Sequence, residues 1–236
     1  MKIEIWSDII CPWCGLGKHR LAKALEQFAH RDHVEVIYHS FLLDPTMPEG
    51  TVKTVSEVIS KKYGISDTQF KSMTAQIETL AQKEALQPYI VYANQIGNTL
   101  LAHEFLAFAT AQGLHHAAWD KLYQVYFGQA RSIFTIDDLV MIAQEIGLDP
   151  EAARQALQSR EYQPQVMQDS RAAQQLGVRG VPFVLIDEQY ALSGAQETAT
   201  VLATLNRIWA DSQLTDMDSG LVCGPEACES LASLEA

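Results

Sequence analysis

The chain has 236 residues, a length that allows one domain with an insertion or two small domains. Hydrophobic residues make up 47% and charged residues 19%, which is ordinary for a globular protein and excludes a disordered chain. A net charge of −12, without any cluster of Lys or Arg, argues against binding to nucleic acid or to an anionic membrane surface.

The first part of the chain predicts a βαβ unit. Residues 2–7 alternate like a strand, residues 12–29 carry apolar side chains at helical spacing, and residues 34–41 are rich in β-branched and aromatic side chains. Two strands joined by a crossover helix run parallel. Acidic Glu4 and Asp8 interrupt any signal-peptide core, and no run of apolar residues is long enough to span a membrane, so we expect a cytoplasmic protein.

Residues 46–162 are predicted to form a helical insertion domain. Apolar side chains recur there every three or four residues, and Gly or Pro marks the breaks between the predicted helices at 54–63, 66–86, 94–112, 115–127, 135–146 and 150–158. The aromatic residues of these helices, Tyr123 among them, are expected to pack in the core, with the lining of an apolar peptide groove as the other possibility.

The last part predicts a helix at 163–176, a β-hairpin over 183–193 and a helix at 196–210. The order βαβ, helical block, αββα is that of an α/β thioredoxin fold with a large all-helical insertion. The thioredoxin-fold domain comprises residues 1–45 and 163–210, and residues 211–236 are predicted to be a cysteine-bearing tail.

The motif Cys11-Pro12-Trp13-Cys14 lies between the first strand and the first helix. With Cys11 as the N-cap, Pro12 occupies the first helical position, where its missing N–H costs nothing. The free N–H groups and the dipole of the helix then favour a negative charge on the Cys11 sulfur, which would sit where a capping serine oxygen sits. Thiolate is the attacking species in disulfide exchange, so we expect Cys11 to be the nucleophile and Cys14 the resolving thiol.

Two other interpretations of this motif remain open. A lone C-x-x-C is also half of a typical zinc site, and the second pair would then be Cys223 and Cys228, over two hundred residues away. The motif could also be chemically inert. Because a strand leads into it and an amphipathic helix follows, we favour redox chemistry and expect no metal.

With these motifs in hand, the chain resembles the FrnE-like branch of the DsbA-family thioredoxin-fold proteins. The resemblance covers most of the chain and depends on five stretches, namely residues 7–18, 41–45, 98–103, 177–183 and 193–196. It implies thiol–disulfide oxidoreductase or isomerase activity on protein or small-molecule thiols and disulfides, with no bound prosthetic group.

The resemblance also implies roles for single residues. Pro182 would be a cis proline facing the active site, and Val181 would pair with an extended substrate through its backbone. Pro12 and Trp13 would contact substrate as part of the motif. Asn98 and His103 would lie near the thiols and contact substrate, although packing or capping is the commoner role for such residues.

The same superfamily contains glutathione-dependent enzymes, which are the alternative. The 2-hydroxychromene-2-carboxylate isomerases and kappa-class transferases are similar to this sequence in the insertion, but they typically carry Ser at the position of Cys11 and use glutathione. The presence of both cysteines favours redox exchange, with glutathione at most a co-substrate. Asn98 and His103 keep the isomerase alternative open.

Cys223 and Cys228 lie on a stretch with Gly224 and Pro225. Their separation allows a small disulfide, and an exposed disulfide in the cytosol is usually redox-active. We hypothesise that they form an auxiliary redox pair that exchanges oxidising equivalents with Cys11 and Cys14. A structural clip on the tail and two unpaired thiols are the alternatives.

Overall fold

A four-stranded sheet forms the centre of the computed structural model, which describes residues 1–219. Its strands, in the spatial order β2-β1-β5-β6, are β1 (Lys2–Ser7), β2 (Glu35–Ser40), β5 (Phe183–Ile186) and β6 (Tyr190–Ser193). Strand β1 is parallel to β2 and antiparallel to β5, and β5 is antiparallel to β6. This topology confirms the thioredoxin-type core predicted from the order of elements.

Two helices that pack on each other flank this sheet, α1 (Pro12–Gln27) and α9 (Thr198–Ser219). Their buried apolar side chains join Ile3 and Ile5 of β1 in one core. Helix α9 runs nine residues past the predicted end at 210, so the start of the predicted tail is helical.

The buried side chain of Arg20 on α1 ties the two parts of the chain together. Its guanidinium donates to both carboxylate oxygens of Glu84, in the insertion, and to the carbonyl of Ala195. A planar guanidinium with several fixed donors suits this bridging position.

The insertion is mainly helical, as predicted. Its helices, followed by the helix that leads back to the core, are α2 (Val55–Tyr63), α3 (Asp67–Lys83), α4 (Leu100–Ala111), α5 (His115–Tyr123), α6 (Ile136–Glu145), α7 (Pro150–Ser159) and α8 (Gln163–Gln175). Residues Gln124–Gly128 continue α5 as a π-helical turn. Asp149 caps α7 with Pro150 at the first position, as expected.

The prediction of an all-helical insertion is wrong at one point. Strand β3 (Val52–Thr54) pairs antiparallel with β4 (Gln95–Gly97), and the helix expected over 94–112 begins only at Leu100. Three-residue strands are too short to show a period-two alternation. Gly97 fits because a Cβ there would collide with the ring of Phe134.

None of the helices within residues 1–219 is long and apolar enough to cross a bilayer.

Candidate active site

Cys11 is the N-cap of α1, as the sequence predicts. Its backbone is extended, with φ −82° and ψ 114°, and Pro12 follows at the first helical position. The Cys11 N–H donates to the carbonyl of Asp8 at 3.1 Å, and the Cys11 carbonyl accepts from the Cys14 N–H at 3.0 Å. The turn from β1 into α1 therefore fixes both cysteines through the backbone.

The Cys11 side chain does not make the capping hydrogen bond that we expected. Both cysteines are free thiols, and the Cys11 Sγ donates instead to the carbonyl of Val181 at 3.6 Å. A protonated thiol is a donor, so it turns to a carbonyl; loss of the proton would leave the sulfur an acceptor for the first N–H groups of the helix.

Cys14 lies one turn behind, and only 1% of its surface is exposed, against 5% for Cys11. Burial raises the pKa of the Cys14 thiol well above its ordinary value, and the neighbouring Cys11 adds to the rise. The Ser7 hydroxyl and the Asp8 backbone N–H oppose this by hydrogen bonding to the sulfur. Cys14 is thus a protected thiol that the solvent hardly reaches.

The Val181–Pro182 peptide bond is cis, as the family resemblance implies. Its loop faces the start of α1, because the Val181 carbonyl accepts from the Cys11 thiol. Gly17 on α1 allows the close approach, since a Cβ there would lie 3.2 Å from the Pro182 ring. The structure therefore brings Cys11, Cys14, Val181 and Pro182 together, although they come from opposite ends of the chain.

Asp8 holds the loop that precedes Cys11 and is itself fully buried. Its carboxylate accepts from the backbone N–H groups of Ile10 at 3.4 Å and Leu43 at 2.8 Å, and from the Thr99 hydroxyl at 3.4 Å. The Nε2–H of His103 donates to the same carboxylate at 3.3 Å. Four donors from separate parts of the chain thus converge on one buried charge.

His103 lies behind the site, whereas Asn98 is half-buried beside it. The His103 side chain is 0% exposed and contacts the Asp8 carboxylate, so its role in this conformation is to position the loop before Cys11. Asn98 caps the start of α4 by accepting from the Leu100 N–H, and it donates to the Met47 carbonyl at 2.6 Å. Substrate contact by Asn98 stays a prediction.

Trp13 lies on the surface next to the thiols, with 42% of its area exposed. It lines a mainly apolar groove of about 310 Å³ that runs under α2 and α3. Leu43, Tyr63 and Met73 also line this groove and are exposed as well. Pro12 stands at the same end of the groove and is half-buried. An extended apolar segment held there would pass beside Cys11.

Two tyrosines that the sequence did not place near the thiols complete the surroundings of the two cysteines. Tyr89 donates to the Pro12 carbonyl, and its hydroxyl occupies the space that a side chain at Gly15 would need. The Tyr123 hydroxyl lies 2.9 Å from Ser7 Oγ and donates to the Asp8 carbonyl at 3.3 Å. Burial is the main reason that the pKa of each tyrosine lies well above its ordinary value.

In the part of the chain that the structure describes, the two thiols have no third metal ligand grouped with them. Within residues 1–219, no three His, Cys, Asp or Glu side chains are grouped so that they could hold a metal ion. The predicted partners of the zinc alternative, Cys223 and Cys228, lie outside the described residues.

A family model described as the DsbA-like thioredoxin domain matches residues 2–206, which is most of the chain. The chain belongs to the DsbA-like thioredoxin domain family. This agrees with the sequence-based resemblance at the level of the DsbA family, without distinguishing its FrnE-like branch.

Solved structures of DsbA-like and related proteins have the same architecture. A probable DsbA oxidoreductase from Streptomyces coelicolor is 39% identical, with a TM-score of 0.85 over 89% of this chain and 90% of that one. A 2-hydroxychromene-2-carboxylate isomerase is 16% identical, with a TM-score of 0.69 over 92% of this chain and 99% of that one. The cytosolic disulfide reductase DsbM from Pseudomonas aeruginosa, solved with glutathione, is 17% identical, with a TM-score of 0.60 over 91% of this chain and 100% of that one. At such low identity the last two likenesses establish the fold alone.

Proposed function

We propose that this DsbA-like protein is a thiol–disulfide oxidoreductase with Cys11 as the nucleophile and Cys14 as the resolving thiol. The observation that carries the proposal is the unequal placement of two free thiols one helical turn apart. Cys11 sits at the helix start with some exposed surface, whereas Cys14 is closed off behind it. Such an arrangement lets one sulfur meet the substrate first and the other act second.

The exchange runs in two steps, each of which forms one S–S bond and breaks another. The Cys11 thiolate attacks a substrate disulfide, so that a mixed disulfide forms at Cys11 and the first substrate thiolate leaves. Cys14 then loses its proton and attacks the Cys11 sulfur, which releases the second substrate thiolate. Two electrons pass from the dithiol to the substrate, and the reverse sequence oxidises a substrate dithiol.

The surroundings of the thiols support polypeptide disulfides as substrates. The groove beside Trp13 is mainly apolar, which suits an apolar polypeptide segment better than a small polar molecule. Pro182 and the backbone of Val181 also stand next to Cys11, where strand-like pairing with a substrate is available. Small-molecule disulfides are the second substrate class of this proposal. A cytoplasmic location and membership of the FrnE-like branch are part of the same proposal.

Reduction of insulin by dithiothreitol tests this function. The wild-type protein should accelerate the reaction, whereas the Cys11→Ser variant should give only the uncatalysed rate. The Cys14→Ser variant should be much slower than the wild type, because only external dithiothreitol, and no internal thiol, can resolve its mixed disulfide. Acceleration by Cys11→Ser equal to the wild type would refute the assignment.

The alternative is a glutathione-dependent isomerase or transferase. The isomerase fold likeness and the glutathione-bound structure of DsbM favour testing it. Such an enzyme would need a glutathione site but no second thiol. Glutathione binding measured by calorimetry on Cys14→Ser, together with isomerase turnover, would support this alternative; absence of both supports disulfide exchange without a bound cofactor.

The auxiliary role of Cys223 and Cys228 also stays a proposal, since both lie outside the described residues. Replacing both with Ser should slow the turnover of Cys11 and Cys14 under conditions where reoxidation limits the rate. Unchanged turnover would remove the shuttle.

A further inference from the structure

Two buried hydroxyls lie against the resolving thiol. Ser7 ends β1 with 1% of its surface exposed, and Tyr123 ends α5 with 8% exposed. Their oxygens are 2.9 Å apart, and the Ser7 hydroxyl also hydrogen-bonds with the Cys14 sulfur. Cys14, Ser7 and Tyr123 therefore form one continuous chain of polar atoms inside an apolar core.

The direction of donation along this chain is fixed while Cys14 is a thiol. Tyr123 donates its proton to the Asp8 carbonyl, so it must accept from Ser7. Ser7 in turn has its oxygen free to accept from the Cys14 S–H. If Cys14 loses its proton, the chain has to reverse, with Ser7 donating to the thiolate and Tyr123 donating to Ser7. A serine hydroxyl and a tyrosine hydroxyl can both rotate to do so.

The chain of polar atoms ends inside the protein. Tyr123 lines a cavity of about 560 Å³ together with Gly15, Lys18 and Asp120. Its hydroxyl, however, is buried, and its partners are Ser7 Oγ and the Asp8 carbonyl. The two hydroxyls can therefore offer hydrogen bonds to Cys14 from within the core.

The resolving step needs hydrogen-bond donors next to Cys14 because this thiol is buried. A thiolate in an apolar core is costly unless donors surround it. The titratable groups that face Cys14 are Cys11 on its own helix, Tyr38 on β2, Tyr89 in the segment before β4 and Tyr123 on α5. Burial raises the pKa of all three tyrosines, so they keep their protons near neutral pH and remain donors.

We infer that Ser7 and Tyr123 stabilise the Cys14 thiolate in the resolving step by donating hydrogen bonds along this chain. Ser7 is a catalytic residue because it touches the reacting sulfur, and Tyr123 is a positioning residue that acts through Ser7. In this step the Cys14–Cys11 bond forms and the bond from Cys11 to the substrate sulfur breaks. Cys14 gives up one proton, and the departing substrate thiolate takes one up, so that protons balance over the step. The inference rests on the proposed function and assigns it two further residues.

Reaction of the full chain carrying Cys223→Ser and Cys228→Ser with an aromatic disulfide such as Ellman's reagent separates the two steps, and every variant below is compared in this background. The first coloured thiolate appears when Cys11 attacks, and the second appears when Cys14 displaces the one bound to Cys11. The Ser7→Ala and Tyr123→Phe variants should leave the first phase unchanged and slow the second by roughly tenfold or more, with Ser7→Ala the slower, because hydrogen bonds to charged groups are the strong ones. The second phase of each variant should also move to higher pH.

The matched control is Tyr162→Phe. Tyr162 is half-buried and packs edge-on against Phe108 of α4, outside the groove and the surroundings of the thiols. It should keep both phases at the wild-type rate. The Ser7→Ala/Tyr123→Phe double variant should be no slower than Ser7→Ala, since Tyr123 acts through Ser7.

The outcomes are distinguishable. If Ser7→Ala and Tyr123→Phe both show a second phase at the wild-type rate, the inference is overturned. Equal slowing of the first and second phases would also overturn it, because that result indicates a merely structural role. A wild-type first phase no faster than that of free cysteine would refute the proposed function itself, and the inference with it.

Discussion

Replacing His103 with Ala distinguishes the positioning role that the structure gives this residue from the substrate contact expected from sequence. The imidazole is fully buried, donates to Asp8 at 3.3 Å and meets the Trp119 ring edge-on at 5.9 Å. Truncation removes a hydrogen bond to a buried charge, worth about 1.5–3 kcal/mol, and leaves a cavity in the core. The hydrogen bond and the packing are both lost with the one imidazole ring. We therefore expect the free energy of unfolding of His103→Ala to fall by about 3–4 kcal/mol in total.

Urea unfolding of the reduced protein measures this loss, and thermal unfolding should show a midpoint roughly 6–16 °C lower for a chain of this size. His116→Ala is the control, because His116 is exposed and its removal should change stability by less than about 0.5 kcal/mol. Wild-type stability in His103→Ala, combined with a raised KM for a disulfide substrate, would refute the positioning role and restore the substrate contact.

Two further variants test the packing around the site. Arg160 pairs with the buried Glu104 carboxylate; burial raises the pKa of that carboxyl although Arg160 opposes the rise. Because the pKa of Glu104 is raised in the folded state, the free energy of unfolding falls as Glu104 ionises. Removing Arg160 leaves the ionised carboxylate without its partner, so the loss of stability in Arg160→Ala, measured by urea unfolding, should grow from pH about 4 to about 7. An equal loss of stability at every pH would contradict this. Gly15→Ala should destabilise by about 1–3 kcal/mol, because its Cβ would collide with Tyr89, although the same change in an open helix stabilises. Adding Tyr89→Phe should recover most of that loss, and no recovery would contradict the steric explanation.

The sequence predicted the thioredoxin core well because its signals are local and strong. Ile3 and Ile5 alternate in β1, and Pro12 marks the start of α1, so strand, cap and helix were found within two residues of their observed ends. The ribbon of β3 and β4 was missed because its strands are three residues long and lie about forty residues apart in sequence. The predicted end of helix α9 was too early because apolar residues no longer recur at helical spacing after residue 210.

In the candidate site, the sequence predicted only residues that belong to a recognisable motif. Cys11 and Cys14 followed from their spacing and from the strand and helix that flank them, and Pro182 followed from the family resemblance. The contacts of Ser7 and Tyr123 could not be predicted, because hydroxyl groups 116 residues apart leave no pattern in the sequence. His103 was proposed from the family resemblance, but only the fold shows that it contacts Asp8.

Trapping of the mixed disulfide tests the central claim most directly. Cys14→Ser incubated with a disulfide-bonded peptide should give a stable covalent adduct that mass spectrometry maps to Cys11. The wild-type protein treated in the same way should hold no adduct and should instead contain a disulfide between Cys11 and Cys14. An adduct on any other residue, or a wild-type protein whose two thiols stay reduced, would contradict the order of attack derived from their burial.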